Sequence, residues 1–222
     1  MEKKYKLTKE TINVVSKTLY RIEALRDFND VKKGDKGGFV EKEDNLSQSD
    51  NCWVYGNAKV SGNAVVYGNA EVYDNTKVYG NAVVYGNAEV YDNAEVYDNA
   101  KVYGNAVVYN YAKVYGNAVV YGIAWVFDNA RVFGNARVFG DARICADAKV
   151  ESNGDYIVFR NWWSSGRYFT WTKSNDMWKV GCFYGTGKEL IDKAYRDSEI
   201  SGREYERIVK YVETINNDLE IM

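Results

Sequence analysis

The residue types that carry most enzyme chemistry are scarce in this sequence of 222 residues. It contains no histidine, which excludes serine–histidine–acid triads, histidine general bases and histidine-ligated zinc. The three cysteines, Cys52, Cys145 and Cys182, are too scattered for a zinc cluster or a disulfide framework. We therefore predict no catalytic, cofactor-binding or metal-binding residue, and no enzyme activity.

A six-residue repeat dominates the sequence from Val54 to Val150. An aliphatic residue recurs at every sixth position, and the unit reads Val-Tyr-Gly-Asn-Ala-x. Self-similarity at a fixed short period is typical of a solenoid. Strand alternation places valine and alanine inside and tyrosine and x outside, while glycine and asparagine tolerate the positive φ of a corner.

The repeat resembles the hexapeptide repeat of left-handed parallel β-helices, in which three units form one triangular coil. An 18-residue period supports three-sided coils, since residues 65–82 and 83–100 agree at 15 of 18 positions. We predict an all-β solenoid of about six coils over 38–154. The resemblance implies its left hand. An N-terminal cap is predicted over 1–37, and a small α+β domain over 155–222.

The two flanking segments carry their own patterns. The cap should contain a short strand, a polar helix or turn, and an apolar segment at 19–22. The C-terminal domain should contain strands and then helices, the last helix beginning at Ser201 as N-cap. The predicted strands are 155–160, 167–173 and 177–183, and the predicted helices are 187–197 and 201–217.

Stacked coils place residues 18 apart in columns. One outward column is basic, although Glu95 interrupts it, and aromatic residues flank it. This pattern is typical of a single-stranded nucleic-acid platform, but we favour a solvated face. The candidate basic face, called the basic column below, consists of Lys59, Lys77, Lys113, Arg131 and Lys149.

A second outward column contains stacked carboxylates, Glu71 and Glu89. Their expected spacing of ~4.8 Å approaches the ~5–5.5 Å of retaining glycosidases. Nothing in the sequence indicates a cleft around them, so we favour a structural role.

A third outward column forms an apolar stripe, of the kind that marks interfaces. It contacts either a partner, including a second copy in a dimer or trimer, or the folded-back C-terminal domain. Tyr111 and Ile123 replace corner asparagines, where we expect a relaxed backbone or a contact. The candidate interface comprises the apolar stripe (Val65, Tyr67, Val83, Tyr85, Tyr103, Val119, Tyr121 and Phe139) and a C-terminal loop (Arg160, Trp162, Trp163 and Arg167). The tryptophans of this loop either contact a partner or seal the solenoid end.

The whole chain resembles hexapeptide-repeat proteins common in phages and prophages. The resemblance covers Gly34–Ala58, the repeats and Val180–Thr186, and it implies a protein that acts by binding, such as an inhibitor of a host defence nuclease. We predict a non-catalytic interaction protein with a protein partner, in the cytoplasm and without a membrane segment. The alternative is a divergent hexapeptide-repeat transferase that handles a sugar or nucleotide. A third hypothesis is a single-stranded nucleic-acid binder.

Overall fold

The chain begins with a β-hairpin and a third strand. In the computed structural model, which describes residues 2–221, β1 (Tyr5–Val14) pairs antiparallel with β2 (Lys17–Ala24), and β2 pairs with β3 (Lys36–Val40). The turn predicted before the apolar segment at 19–22 is present at 15–16. The strand that precedes it has ten residues and is not the short strand we predicted, because β-branched threonine, isoleucine and valine recur through residues 8–14.

Each six-residue unit then forms a two-residue strand and a corner. The strands of the repeat are β4 (Trp53–Val54), β5 (Lys59–Val60), β6 (Val65–Val66), β7 (Glu71–Val72), β8 (Lys77–Val78), β9 (Val83–Val84), β10 (Glu89–Val90), β11 (Glu95–Val96), β12 (Lys101–Val102), β13 (Val107–Val108), β14 (Lys113–Val114), β15 (Val119–Val120), β16 (Trp125–Val126), β17 (Arg131–Val132), β18 (Arg137–Val138), β19 (Arg143–Ile144) and β20 (Lys149–Val150).

The strands assemble into three parallel sheets, one for each face of the solenoid. Each strand pairs with the strand one coil away, as in the register of Lys59 with Lys77. The first face has the order β3-β5-β8-β11-β14-β17-β20, the second β4-β7-β10-β13-β16-β19 and the third β6-β9-β12-β15-β18. The predicted solenoid of three-sided coils is confirmed.

Valine and alanine fill the interior of the solenoid. The aliphatic residue of every unit and the small residue two positions before it are completely buried and form one continuous core. Thr76 takes an alanine position, and its hydroxyl donates to the carbonyl of Val90 at 3.4 Å. The hydrogen bond satisfies a polar group that would otherwise be costly in this core.

The corners place only one of their two polar residues at positive φ. A glycine or aspartate is left-handed in most units, as in Gly86 at 73° and Asp92 at 62°, and Asn110 and Ala146 take that position at 60° and 55°. The position that follows is not left-handed among the described residues. Tyr111 and Ile123 occupy that following position, so our premise that the asparagine position of the corner needs a positive φ is wrong and no relaxed backbone is required at them.

The C-terminal domain packs an antiparallel sheet on two helices. Its elements are β21 (Tyr156–Arg160), β22 (Tyr168–Thr172), β23 (Met177–Val180), β24 (Phe183–Gly185), α1 (Gly187–Asp197) and α2 (Glu199–Ile221). Strand β24 is absent from our prediction. Helix α2 begins before Ser201, and the Ser198 hydroxyl accepts the Ser201 amide hydrogen at 3.1 Å.

This domain satisfies the open end of the last coil. Arg143 N donates to Thr170 Oγ1 at 3.0 Å, and Lys149 N donates to Ser174 Oγ at 2.7 Å. These bonds occupy donors that the end of a sheet would otherwise leave open. No helix within residues 2–221 is long and apolar enough to cross a membrane.

Candidate functional site

The first face aligns the basic column along the solenoid. Lys59, Lys77, Glu95 and Lys113 lie on the successive paired strands β5, β8, β11 and β14. Neighbouring strands are about 4.8 Å apart, so each charged side chain lies beside the next. The structure therefore brings the predicted basic residues together on one surface.

Glu95 neutralises part of this positive charge. Lys77 Nζ lies 2.9 Å from one carboxylate oxygen of Glu95, and Lys113 Nζ lies 3.2 Å from the other. Burial raises the pKa of Glu95, but the hydrogen bonds from the two lysines outweigh it and hold that pKa below its usual value. Glu95 is therefore ionised and weakly basic.

Lys59 is in a different environment from the other lysines of the column. Its Nζ donates to the backbone carbonyl of Asn57 at 2.8 Å. Burial, and then the positive charge of Lys77, lower the pKa of the Lys59 amine. Lys59 therefore gives up its proton more readily than an ordinary lysine.

The N-terminal hairpin and the first face around Lys59 and Lys77 enclose a cavity of about 520 Å³, called the hairpin cavity below. Val14, Val15 and Leu19 supply an apolar wall, and the side chains of Lys17, Lys59 and Lys77 line it as well. Lys17 pairs with Glu41 at 2.7 Å. The cavity combines an apolar surface with several ammonium groups.

Val15 gives the rim of the hairpin cavity an unusual backbone. It has a φ of 55° and a fully exposed side chain. A β-branched residue is costly in the left-handed region, and such strain clusters at binding sites. Our sequence reasoning missed this rim, although the run of β-branched residues in 8–14 indicates the hairpin.

A shallower cavity of about 320 Å³ continues the site along the same face. It shares Lys59 and Lys77 with the hairpin cavity and extends to Glu95, Tyr111 and Lys113. The two cavities therefore form one trough, apolar at the hairpin end and charged along the coils.

Comparison with known proteins connects the solenoid to one named relative. A family model described as the YdcK beta solenoid repeat matches residues 130–146. The uncharacterized acetyltransferase YdcK of Escherichia coli (strain K12) is 49% identical over 37 residues. The match covers 17% of this chain and 11% of that relative. These findings support a hexapeptide-repeat-like β-solenoid.

The match corrects our functional prediction. A non-catalytic interaction protein that inhibits a host defence protein, with no enzyme activity, is contradicted by similarity to a protein named as an acetyltransferase. The match to YdcK favours our alternative hypothesis, a hexapeptide-repeat transferase. Our reasoning failed because the lack of histidine excludes one kind of base, while lysine and carboxylate groups remain.

Of the stacked carboxylates of the second face, Glu71 has structural partners. Glu71 accepts hydrogen bonds from Asn29 Nδ2 at 3.3 Å and from the hydroxyls of Tyr55 and Tyr73. Burial, and then the charges of Asp30 and Glu89, raise the pKa of Glu71. These bonds tie the N-terminal loop to the solenoid, as the structural hypothesis expects.

The apolar stripe lies along the third face and its corner. Val65, Val83 and Val119 are half-buried. The stripe's aromatic rings, Tyr67, Tyr85, Tyr103, Tyr121 and Phe139, stack with centroids 4.7 to 5.3 Å apart. The hydrogen bonds that Arg143 and Lys149 donate to the C-terminal domain lie at the last coil.

The C-terminal loop is exposed. Trp162 and Trp163 are 65% and 77% accessible, so neither seals the solenoid. The guanidinium of Arg160 lies 3.6 Å from the ring centroid of Trp162. Arg167 contributes its carbonyl, which accepts the amide hydrogen of Asn161 at 2.9 Å.

Proposed function

We propose that this chain is an acyltransferase that uses a phosphorylated thioester donor such as acetyl coenzyme A. The observation that carries the proposal is the hairpin cavity, in which an apolar wall faces ammonium groups. Similarity to a protein named as an acetyltransferase supports the same reaction class.

The two sides of the cavity suit the two parts of such a donor. Lys17 and Lys77 supply positive charge for the phosphate groups, which lysine binds as a point charge. Val14 and Val15 supply an accessible apolar surface for the acyl-bearing arm. Binding of this kind weakens as salt concentration rises.

Lys59 is the base that we assign to the reaction. The acceptor's hydroxyl or amine attacks the thioester carbonyl, the carbon–sulfur bond breaks, and the thiolate leaves. The amine of Lys59 takes the acceptor's proton and returns it to the thiolate. A lowered pKa leaves more of Lys59 in the neutral form that can do this, whereas Glu95 is held ionised by two lysines.

Two further expectations belong to the proposal. The acceptor is a sugar or a nucleotide, the substrate classes of our alternative hypothesis. Copies of the chain associate through the apolar stripe, whose half-buried valines and stacked rings are suited to an interface. The phage or prophage origin stays a prediction.

The experiment measures release of free thiol from acetyl coenzyme A with sugar and nucleotide acceptors. Lys59→Arg keeps the charge and loses the readily deprotonated amine, so kcat should fall about 100-fold while donor binding is retained. Lys77→Gln should raise KM for the donor about tenfold with little change in kcat. Lys149→Ala, at the far end of the same column, is the matched control. Absence of thiol release with every acceptor, or full turnover by Lys59→Arg, contradicts the proposal.

A further inference from the structure

A second large cleft lies at the opposite end of the solenoid from the hairpin cavity. It has a volume of about 520 Å³ and separates the last coil from the C-terminal sheet. Phe139 and Asp141 line it from the solenoid, and Asn153, Tyr156 and Tyr168 line it from the other side. We call it the terminal cleft.

The floor of the terminal cleft is the open end of a stack of aromatic rings. The rings of the apolar stripe stack coil upon coil, and Phe139 is the last, 5.3 Å from Tyr121 with an interplanar angle of 18°. The residue 18 positions after Phe139 is Ile157, an aliphatic residue in β21, so the sequence places no further aromatic ring in this column. Phe139 is 48% exposed and lines the cleft, so part of its ring is accessible to a ligand there.

Polar groups surround this aromatic floor. Asn153 Oδ1 accepts from Arg137 N at 2.8 Å, which leaves its Nδ2 as the donor toward a ligand. The half-buried Asp141 carboxylate is an acceptor. Arg160 is the register partner of Tyr168, which lines the cleft, and its guanidinium lies 3.6 Å from the ring centroid of Trp162 and 5.2 Å from that of Tyr168. The cleft therefore offers an aromatic face, an acceptor and two kinds of donor.

We propose that the terminal cleft binds a neutral pyranose sugar, whose C–H face lies on Phe139 as the next layer of the stack. The C–H groups of a pyranose carry partial positive charge and suit the negative face of an aromatic ring. Its hydroxyls alternate as donors and acceptors, which matches Asp141, Asn153 and Arg160. Asp141 at the floor disfavours a phosphate group through like-charge repulsion. The inference concerns binding alone and does not rest on the acyltransferase proposal.

Saturation-transfer difference NMR on the full chain tests this site. The probes are methyl β-D-glucopyranoside, methyl α-D-mannopyranoside, N-acetylglucosamine and a trisaccharide of each, with adenosine as the nucleoside arm. We expect at least one saccharide to bind with a dissociation constant below about 1 mM and to receive saturation on the C–H protons of one ring face. Absence of binding by every saccharide, whether or not adenosine binds, would overturn the proposal.

Variants locate the binding. Phe139→Ala should weaken saccharide binding about tenfold, the amount expected for loss of one stacking contact. Asp141→Asn leaves the aromatic floor intact and should also weaken binding, because an anionic acceptor becomes a neutral amide. Tyr211→Ala removes an aromatic ring that is 57% exposed on α2, outside both proposed sites, and it should leave binding unchanged. Equal affinity of Asp141→Asn and the unchanged protein, or an equal loss in Tyr211→Ala, refutes the site.

Discussion

Val84 and Val83 offer a matched test of which side of the strand stabilises the solenoid. They are adjacent in β9, where Val84 is completely buried and Val83 is half-buried on the outer surface. Replacing either with alanine removes the same two carbon atoms. Only the Val84→Ala change opens a space inside a core that neighbouring coils enclose.

The expected cost follows from burial. Two methyl groups lose about 0.8 kcal/mol each on transfer, and an unfilled space of about 50 Å³ adds roughly 1 kcal/mol. Val84→Ala should therefore lower the free energy of unfolding by about 2–3 kcal/mol. Val83→Ala should lower it by less than about 1 kcal/mol, since its side chain is already partly in water.

Urea denaturation provides the measurement. Circular dichroism and tryptophan fluorescence should be followed together, because a solenoid whose coils contact only their neighbours can unfold in parts. We expect the midpoint to fall much further for Val84→Ala, with an unchanged denaturant slope for both variants. Equal losses, or a larger loss for Val83→Ala, would refute the assignment of inward and outward faces.

Two further predictions concern the corners and the charges. Gly86 and Gly140 both have positive φ, but they differ in the space around them. A Cβ added to Gly86 would lie 2.9 Å from the backbone of Gly104, whereas a Cβ added to Gly140 would meet no atom within 4 Å. Gly140→Ala should cost about 1 kcal/mol, and Gly86→Ala should cost more in thermal unfolding; equal melting temperatures contradict the close approach of the coils. The pKa of Glu95 is lower in the folded chain than in the unfolded chain. Its contribution to the free energy of unfolding is therefore complete above the pKa of the unfolded chain, and it is lost as the pH falls through the pKa of the folded chain. The unchanged protein should therefore lose more stability between about pH 5 and pH 3 than Glu95→Gln does. The difference should be less than about 1 kcal/mol, because the carboxylate is part-exposed. Parallel curves of unfolding free energy against pH would contradict the pairing of Glu95 with Lys77 and Lys113.

The solenoid was accessible from sequence because its determinants are local and repeated. Every unit carries an aliphatic residue inside and a left-handed corner, so the period alone fixes which residues share a face. The basic column follows from the same arithmetic, since Lys59 and Lys77 are one coil apart. We expected a relaxed backbone or a contact at Tyr111 because the pattern does not show which of the two corner residues is left-handed, and the structure places the positive φ at Asn110 instead.

The hairpin cavity could not be predicted from the sequence in the same way. It depends on pairing of β2 with β3 and on the position of the hairpin turn over Gly62 and Gly80 in later coils. These contacts join segments without a shared period. The terminal cleft likewise depends on how the C-terminal sheet meets the last coil, which the strand pattern of Tyr156–Arg160 does not specify.

Calorimetric titration of acetyl coenzyme A into the full chain tests most directly whether the hairpin cavity is a donor site. We predict saturable binding that weakens with added salt, and about tenfold weaker binding by both Lys77→Gln and Val15→Asp, which alter opposite walls. Lys149→Ala should bind as the unchanged protein does. No heat of binding, or an equal loss in Lys149→Ala, would contradict the account.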